Sequence, residues 1–279
     1  MARASVSHKP TETEPRVRRG YFESRFGQLH VHNAIPSGGG FEEGTPLLCL
    51  HQAQGSGRIF GRLLPLAGRD RSVYAPDAPG FGESDPPAPR PAIADYAGAF
   101  ADFLDSMRFR QIDVLGHQAG ALMAAELALT RPNVVRRLVM VSVPLVTDAE
   151  RDGGVKRGPV VPGDDGNPLL AEWRRTLDTL GPGVPPELRM RMFADRLANS
   201  VPSAWVLAAV HHYAARERLP QVTQPTLILR PRDEYWDATA RARELLPKAR
   251  TLDLPDQGSG VFEAAPEAVV AAIRDFLRG

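Results

Sequence analysis

The sequence predicts an α/β protein, a mainly parallel sheet flanked by helices and interrupted once by a helical insertion. Three observations predict it. Short apolar runs alternate with segments whose apolar residues recur at helical spacing, as in strand–helix–strand folds with a parallel sheet. A turn of the form G-x-x-x-G, Gly116-His117-Gln118-Ala119-Gly120, joins one such run to an alanine-rich helix. The alternation stops after Pro144 and resumes at Thr226-Leu227-Ile228-Leu229.

The elements follow in order. Residues 1–20 are basic and polar and read as a disordered arm, with no apolar core that would make a secretory signal. Residues 21–26 and 28–35 alternate in polarity on either side of Gly27 and predict a hairpin. Pro46-Leu47-Leu48-Cys49-Leu50 is apolar throughout, as suits a strand buried on both faces. It leads into His51-Gln52-Ala53-Gln54-Gly55-Ser56-Gly57 and a helix over 58–66. Ser72-Val73-Tyr74-Ala75 is the next strand, followed by a turn-rich loop with Asp77, Gly80 and Gly82. Ile93, Tyr96, Phe100, Phe103, Leu104 and Met107 predict a helix over 93–107. A strand over 112–115, the turn, a helix over 119–130 that stops before Pro132, and a strand over 137–143 come next.

Residues 148–167 are charged and rich in glycine and proline, and helices over 169–180, 186–199 and 203–219 follow without an intervening strand. The expected organisation is therefore a core domain of residues 21–144 and 224–279, with a helical lid of residues 145–223. The core closes with a strand over 226–229, a helix over 238–246, a strand over 251–254 and a terminal helix over 261–277.

Bulk properties narrow the function classes. A chain of 279 residues buries roughly 75% of its unfolded surface, so the core needs no covalent staple. The single cysteine, Cys49, excludes an internal disulfide and reads as a buried thiol. A net charge of +1 with mixed signs leaves no footprint for nucleic acid or an anionic membrane. No apolar stretch approaches the roughly 18 residues of a spanning helix, and a cytoplasmic protein is expected. A small-molecule substrate or ligand is the expected partner, and a homodimer is compatible with the composition. No pair of histidines shows metal-ligand spacing with a carboxylate, so neither a metal nor another cofactor is expected.

From residue 21 onward the chain resembles the α/β-hydrolase superfamily. The resemblance rests on Leu47-Leu48-Cys49-Leu50-His51-Gln52, on Asp77-Ala78-Pro79-Gly80-Phe81-Gly82-Glu83-Ser84, and on Gly116-His117-Gln118-Ala119-Gly120. It also rests on Pro225-Thr226-Leu227-Ile228-Leu229 and on Gly258-Ser259-Gly260 before the last helix. It implies a sharp strand-to-helix elbow whose central residue is the nucleophile, an acid after a later strand, and a histidine base after the last strand. By position the nucleophile site is Gln118, the acid is best matched by Asp233 with Glu234 and Asp237 as substitutes, and the base site holds Ser259. An amide is no nucleophile, and neither Gln118 nor Ser259 titrates near neutrality. Removing a triad nucleophile or base lowers turnover by about a million-fold, so a covalent route requires a relocated nucleophile such as Ser56, Ser84 or Ser142.

The resemblance also implies backbone donors that survive these changes. The Ala119 N–H opens a helix, and a second donor comes from Gln52 or Ala53. One such donor is worth about 3 kcal/mol to a developing oxyanion. The candidate catalytic positions are thus Gln118, Asp233, His51 and Ser259. The candidate oxyanion or substrate-binding residues are Gln52, Ala53, Ala119, His117, Trp205, His212 and Trp236. His51 and His117 read more readily as packing residues, and at most one of His211 and His212 faces inward because helical neighbours diverge by about 100°.

Three readings stay open on the sequence alone. One is an enzyme acting on a carbonyl-bearing small molecule without a covalent intermediate, by water attack, lyase, isomerase or cyclase chemistry. The second is a binding protein on a hydrolase scaffold. The third is an engineered inactive hydrolase.

Overall fold

The computed structural model describes residues 15–38, 43–88, 90–147, 149–150, 159–160 and 164–278. Eight strands form one sheet: β1 (Arg18–Ser24), β2 (Gly27–Ala34), β3 (Gly44–Leu50), β4 (Arg71–Pro76), β5 (Ile112–His117), β6 (Val135–Val141), β7 (Thr226–Pro231) and β8 (Arg250–Leu254). Their order is β1-β2-β4-β3-β5-β6-β7-β8. The pairs β1/β2 and β2/β4 are antiparallel and the remaining five are parallel. The α/β-hydrolase fold expected from the sequence is the fold observed.

The helices are α1 (Leu63–Ala67), α2 (Ile93–Ser106), α3 (Ala119–Thr130), α4 (Asn167–Leu180), α5 (Pro186–Ala198), α6 (Ser200–His212), α7 (Ala215–Arg218), α8 (Trp236–Glu244), α9 (Val261–Ala264) and α10 (Pro266–Arg278). The strands β3 to β6 are buried along most of their length, which is why they read as unbroken apolar runs. One apolar layer gathers Tyr96, Phe100 and Phe103 of α2 with α3; the other gathers Phe60, Phe262 and the inner face of α10. In α10 that face is Val269, Val270, Ile273, Phe276 and Leu277. Each fully buried side chain of this size contributes roughly 1.5–3 kcal/mol.

Differences from the expectation at four places have a local reason. Arg18, Arg19 and Gly20 belong to β1, because β1 pairs with β2 back to Arg18; of the expected arm, residues 1–14 lie outside the described residues. The helix expected over 58–66 is a short 3-10 turn, Gly57–Phe60, followed by α1. The terminal helix is split into α9 and α10 at Pro266, whose ring and missing N–H cannot continue a helix. The third insertion helix ends at His212, and α7 begins after a break at Tyr213.

The insertion of α4 to α7 between β6 and β7 is fastened to loops at the carboxyl end of the sheet. Asn199 Nδ2 donates to the Gly55 carbonyl at 3.2 Å, and its Oδ1 accepts from the Gly82 N–H at 3.1 Å. Ser203 Oγ donates to the Ala53 carbonyl. Glu126, the acidic side chain that α3 buries, is met by Arg218 at 2.6 and 3.0 Å and by the Tyr213 hydroxyl at 3.0 Å. No helix among the described residues is long and apolar enough to cross a membrane.

Candidate active site at the carboxyl edge of the sheet

The elbow forms because two glycines let backbone meet backbone. A Cβ on Gly116 would fall on the Gly120 carbonyl, and one on Gly120 would fall on the Leu50 carbonyl of β3. Between them Gln118 sits at φ 51°, ψ −116°, a conformation that costs a non-glycine residue about 1–3 kcal/mol. Its N–H donates to the Val141 carbonyl at 2.8 Å, which locks the turn onto β6. Ala119 is the first residue of α3, where an N–H has no acceptor within its own helix.

Register then brings two further polar residues beside Gln118. Ser142 follows β6 and Asp233 follows β7, and these strands are successive parallel neighbours of β5. Ser142 is fully buried at φ 54°, so it too is a non-glycine residue in the left-handed region. Asp233 Oδ1 accepts the Tyr235 N–H at 2.9 Å. Asp233 Oδ2 and Ser142 Oγ are both enclosed and have no partner of hydrogen-bond geometry. Burial raises the Asp233 carboxyl above its ordinary range, and Glu234 adds to the rise. The nearby Ser142 hydroxyl, Tyr235 N–H and Gln118 amide oppose it. Gln118, Ser142 and Asp233 therefore converge on one point. The sequence marks Ser142 only as one of three hydroxyls that could stand in for the nucleophile; its place beside Asp233 comes from strand order.

The histidines are arranged differently. His51 Nε2 accepts the Ala78 N–H at 2.9 Å, so its Nδ1 carries the proton and donates to the Gln52 carbonyl at 2.7 Å. Both ring nitrogens are committed to backbone, and burial lowers the pKa, so His51 is a neutral brace and not the base that its position allowed. The Gln52 side chain is engaged by the elbow residue before Gln118: its Oε1 lies 3.1 Å from His117 Nδ1. His117 is fully enclosed, packs edge-on against Phe262, and is held down to about 3 by burial and then by the neighbouring His51. His212 is exposed and bonds the Ala208 carbonyl one turn back at 2.7 Å, which separates it from the elbow cluster.

Ser259 also departs from the role assigned to its position. Its Oγ donates to the Thr179 carbonyl at 2.6 Å, and the Ser259 and Gly260 N–H groups donate to Thr179 and Leu180. The segment thus caps the orphan carbonyls at the end of α4. Trp236 is stacked under the guanidinium of Arg230, 3.9 Å from its ring, with Arg232 at 5.0 Å, so its face is already occupied. Trp205 is half-buried on α6. Ala53, Gln52 and Ala119 are buried where β3 and β5 diverge to opposite sides, the switch point at which parallel α/β sheets hold ligands. A cleft between the 51–57 loop and the insertion is lined by Gln54, Val160, Glu172, Arg196, Ser203 and Leu207; Gln118, Ser142 and Asp233 do not line it. The hydroxyls of Ser56 and Ser84, the other candidate relocated nucleophiles, donate to Asp195 and to the Asp77 carbonyl.

Sequence spacing conceals one cluster of possible metal ligands, because its members meet between β2 and the end of β4. His30, His32 and Asp77 each offer a ligand atom within 4.8 Å of the others. The carboxylate is already engaged: Oδ2 accepts from His30 Nδ1 at 2.8 Å and from the Glu83 N–H at 3.0 Å, and Oδ1 accepts from the Gly57 N–H at 2.7 Å. Burial opposes ionisation of Asp77, but these bonds hold it below its ordinary value. Burial lowers His32 to about 4, so it is a neutral ring beside a charged carboxylate.

Comparison with known proteins fits this geometry. Residues 47–272 match the model of the alpha/beta hydrolase family. The chain is 34% identical over 161 residues to the 2-hydroxymuconate semialdehyde hydrolase of Pseudomonas sp. (strain CF600), covering 52% of this chain and 50% of that protein. The enzyme of the same name from Pseudomonas putida is 34% identical over 151 residues, 49% of this chain and 47% of that protein. The chain thus spans about half the length of these curated relatives. Among solved structures, a hydrolase from Pseudomonas aeruginosa PA01 superimposes with a TM-score of 0.75 at 20% identity, covering 94% of this chain and 99% of that one. The enol-lactonase from Burkholderia xenovorans LB400 does so with 0.73 at 14% identity, covering 93% and 100%. By fold, by the elbow and by the span of the family match, this chain belongs to the alpha/beta hydrolase family.

Proposed function

We propose that the chain hydrolyses a carbonyl-bearing small molecule by direct attack of water, without an acyl-enzyme. The observation that carries this reading is the Asp233 carboxyl: enclosed at Oδ2, raised in pKa by burial, and set beside the Ser142 hydroxyl and the Gln118 amide. A carboxylate of that kind is a general base in search of a proton. Gln118 offers an amide that donates to a carbonyl or accepts from a hydroxyl, and cannot attack one. The relatives named as 2-hydroxymuconate semialdehyde hydrolases favour hydrolysis of a substrate that carries a carbonyl.

The step balances with residues of this chain. Asp233 takes one proton from water as the water oxygen bonds to the carbonyl carbon. The carbonyl electron pair moves onto oxygen, where the Ala119 N–H donates to it at the positive end of α3. Collapse of this intermediate breaks the bond to the leaving group, which receives the proton from Asp233. The test is turnover of 2-hydroxymuconate semialdehyde and of p-nitrophenyl acetate in 18O-water with hydroxylamine present. Expected are one labelled oxygen in the acid product, no trapped acyl group, and loss of turnover in Asp233→Asn and Gln118→Ala. A trapped acyl-enzyme, or Asp233→Asn at the wild-type rate, overturns the reading. A ligand-binding role without turnover is the second reading, supported by the commitment of Ser259 to the end of α4. It predicts a ligand-induced rise in Tm with no product after prolonged incubation.

A further inference from the structure

We infer that Asn199 is a positioning residue: with Asp195 and Ser203 it makes the insertion hold the 53–58 loop, and with that loop the second oxyanion donor, in place beside the elbow. This rests on the reading that a carbonyl is polarised at that edge of the sheet. The three residues stand four apart in the chain. The Asn199 N–H donates to the Asp195 carbonyl at 2.9 Å, and the Ser203 N–H donates to the Asn199 carbonyl at 2.9 Å. Helical bonding thus runs on across the junction of α5 and α6. Residues four apart along such a run share one face.

All three side chains on that face reach the same loop. Ser203 Oγ donates to the Ala53 carbonyl. Asn199 Nδ2 donates to the Gly55 carbonyl at 3.2 Å. Asp195 Oδ2 accepts from Ser56 Oγ at 3.1 Å, and its Oδ1 accepts from Arg58 Nη1 at 3.2 Å. The bonds fall on residues 53, 55, 56 and 58 and so follow the loop along its length. Asn199 does one thing more, since its Oδ1 accepts the Gly82 N–H at 3.1 Å. A primary amide donates from one atom and accepts at another, so this one side chain clasps the loop after β3 to the loop after β4. Asn199 is buried, where a lost bond leaves its partners unsatisfied. The other end of the loop meets the elbow, through Gln52 Oε1 and His117 Nδ1, 3.1 Å apart. The loop is therefore suspended between the insertion and the elbow. A donor at Gln52 or Ala53 keeps its place only while both ends hold, and such a donor acts by being fixed before the charge develops.

The test compares Asn199→Ala with Tyr213→Phe, which removes a different bond between the insertion and the core, the one from the Tyr213 hydroxyl to Glu126. Both should lower Tm. Expected for Asn199→Ala alone is amide exchange over 53–58 faster by about tenfold, read by mass spectrometry without substrate. Its kcat on p-nitrophenyl acetate should fall by about tenfold with KM unchanged, less than the roughly 10²–10³ of a donor removed outright, because the loop is loosened and not lost. Ser203→Ala, a smaller change, should move exchange and kcat in the same direction by less. If Asn199→Ala behaves as Tyr213→Phe, with a lower Tm but loop exchange and kcat unchanged, Asn199 is merely structural and the inference is overturned. Should Asn199→Ala not fold, the same result in Ser203→Ala overturns it. Faster loop exchange with kcat unchanged overturns it as well, since the loop then carries no donor. If Asp233→Asn turns over at the wild-type rate, the hydrolytic reading itself fails, while loop exchange in Asn199→Ala still decides whether the insertion holds the loop.

Discussion

Two polar clusters sit near the carboxyl edge of the same sheet and are built on opposite terms. Around Asp77 at the end of β4, the carboxylate accepts from His30 and from two backbone N–H groups, and His51 spends both ring nitrogens on backbone. Around Asp233 beyond β7, one carboxylate oxygen and the Ser142 hydroxyl are enclosed close together without a partner of good hydrogen-bond geometry, and Gln118 and Ser142 hold unfavourable backbone angles. The first cluster lowers its carboxyl pKa and the second raises it. A carboxylate bonded at both oxygens spends its polarity on holding loops together, even though the neighbouring His32 Nε2 is without a partner of hydrogen-bond geometry. An unsaturated one keeps bonding capacity for something that arrives, which is the physical mark of a site.

Substitution should separate the two sharply. Asp77→Ala strands His30 and two buried N–H groups, and should cost about 3–5 kcal/mol, the range for removing one partner of a buried pair. Denaturant melts should show it as a collapse of stability without any comparable gain elsewhere. In the wild type the Asp77 contribution is complete above its unfolded pKa and is lost as pH falls through the lower folded value. Wild-type stability at Asp77→Ala would show that the saturation has no structural weight.

Asp233→Asn should do the reverse, lowering turnover by about a hundred- to ten-thousand-fold as a lost general base does. Its folded pKa is raised, so the charged form works against folding once pH passes the unfolded value. The amide should therefore melt higher than wild type at pH 7 while being inactive. A lower Tm would mean that Asp233 is a structural acid like Asp77.

Glu263 tests whether the contrast extends beyond the edge of the sheet. It is buried in α9 with an unpartnered Oε2, and burial raises it to about 7 against the pull of Arg62 and Arg191. Stability from this group is complete below its unfolded pKa and is lost as pH rises through about 7. Glu263→Gln should then gain roughly 1–3 kcal/mol at pH 8 and almost nothing at pH 5. Equal effects at both pH values would place the change in packing and not in charge. The smallest expected effect belongs to Gln118→Gly, which should gain about 1 kcal/mol by relieving the elbow while impairing turnover. No change in Tm would remove strain from the account of that turn.

Much of this was legible in the residues. Apolar runs such as Leu47-Leu48-Cys49-Leu50 need burial on both faces, the spacing in α2 needs an apolar neighbour on one side, and Gly116 and Gly120 announce a turn that tolerates no Cβ. Those signals are local, so the sheet, the elbow and the positions of Gln118 and Asp233 could be read in order along the chain. The fates of His51, Gln52 and Ser259 could not. Each depends on which atom another segment presents: the Ala78 N–H, His117 Nδ1 and the Thr179 carbonyl. Ser142 is the clearest case, since it becomes part of the site only because β6 lies between β5 and β7. Composition and periodicity decide which backbone forms, because they act over a few residues. Which buried polar atom is satisfied and which is left open is a property of the packed whole, because its partner comes from a distant strand.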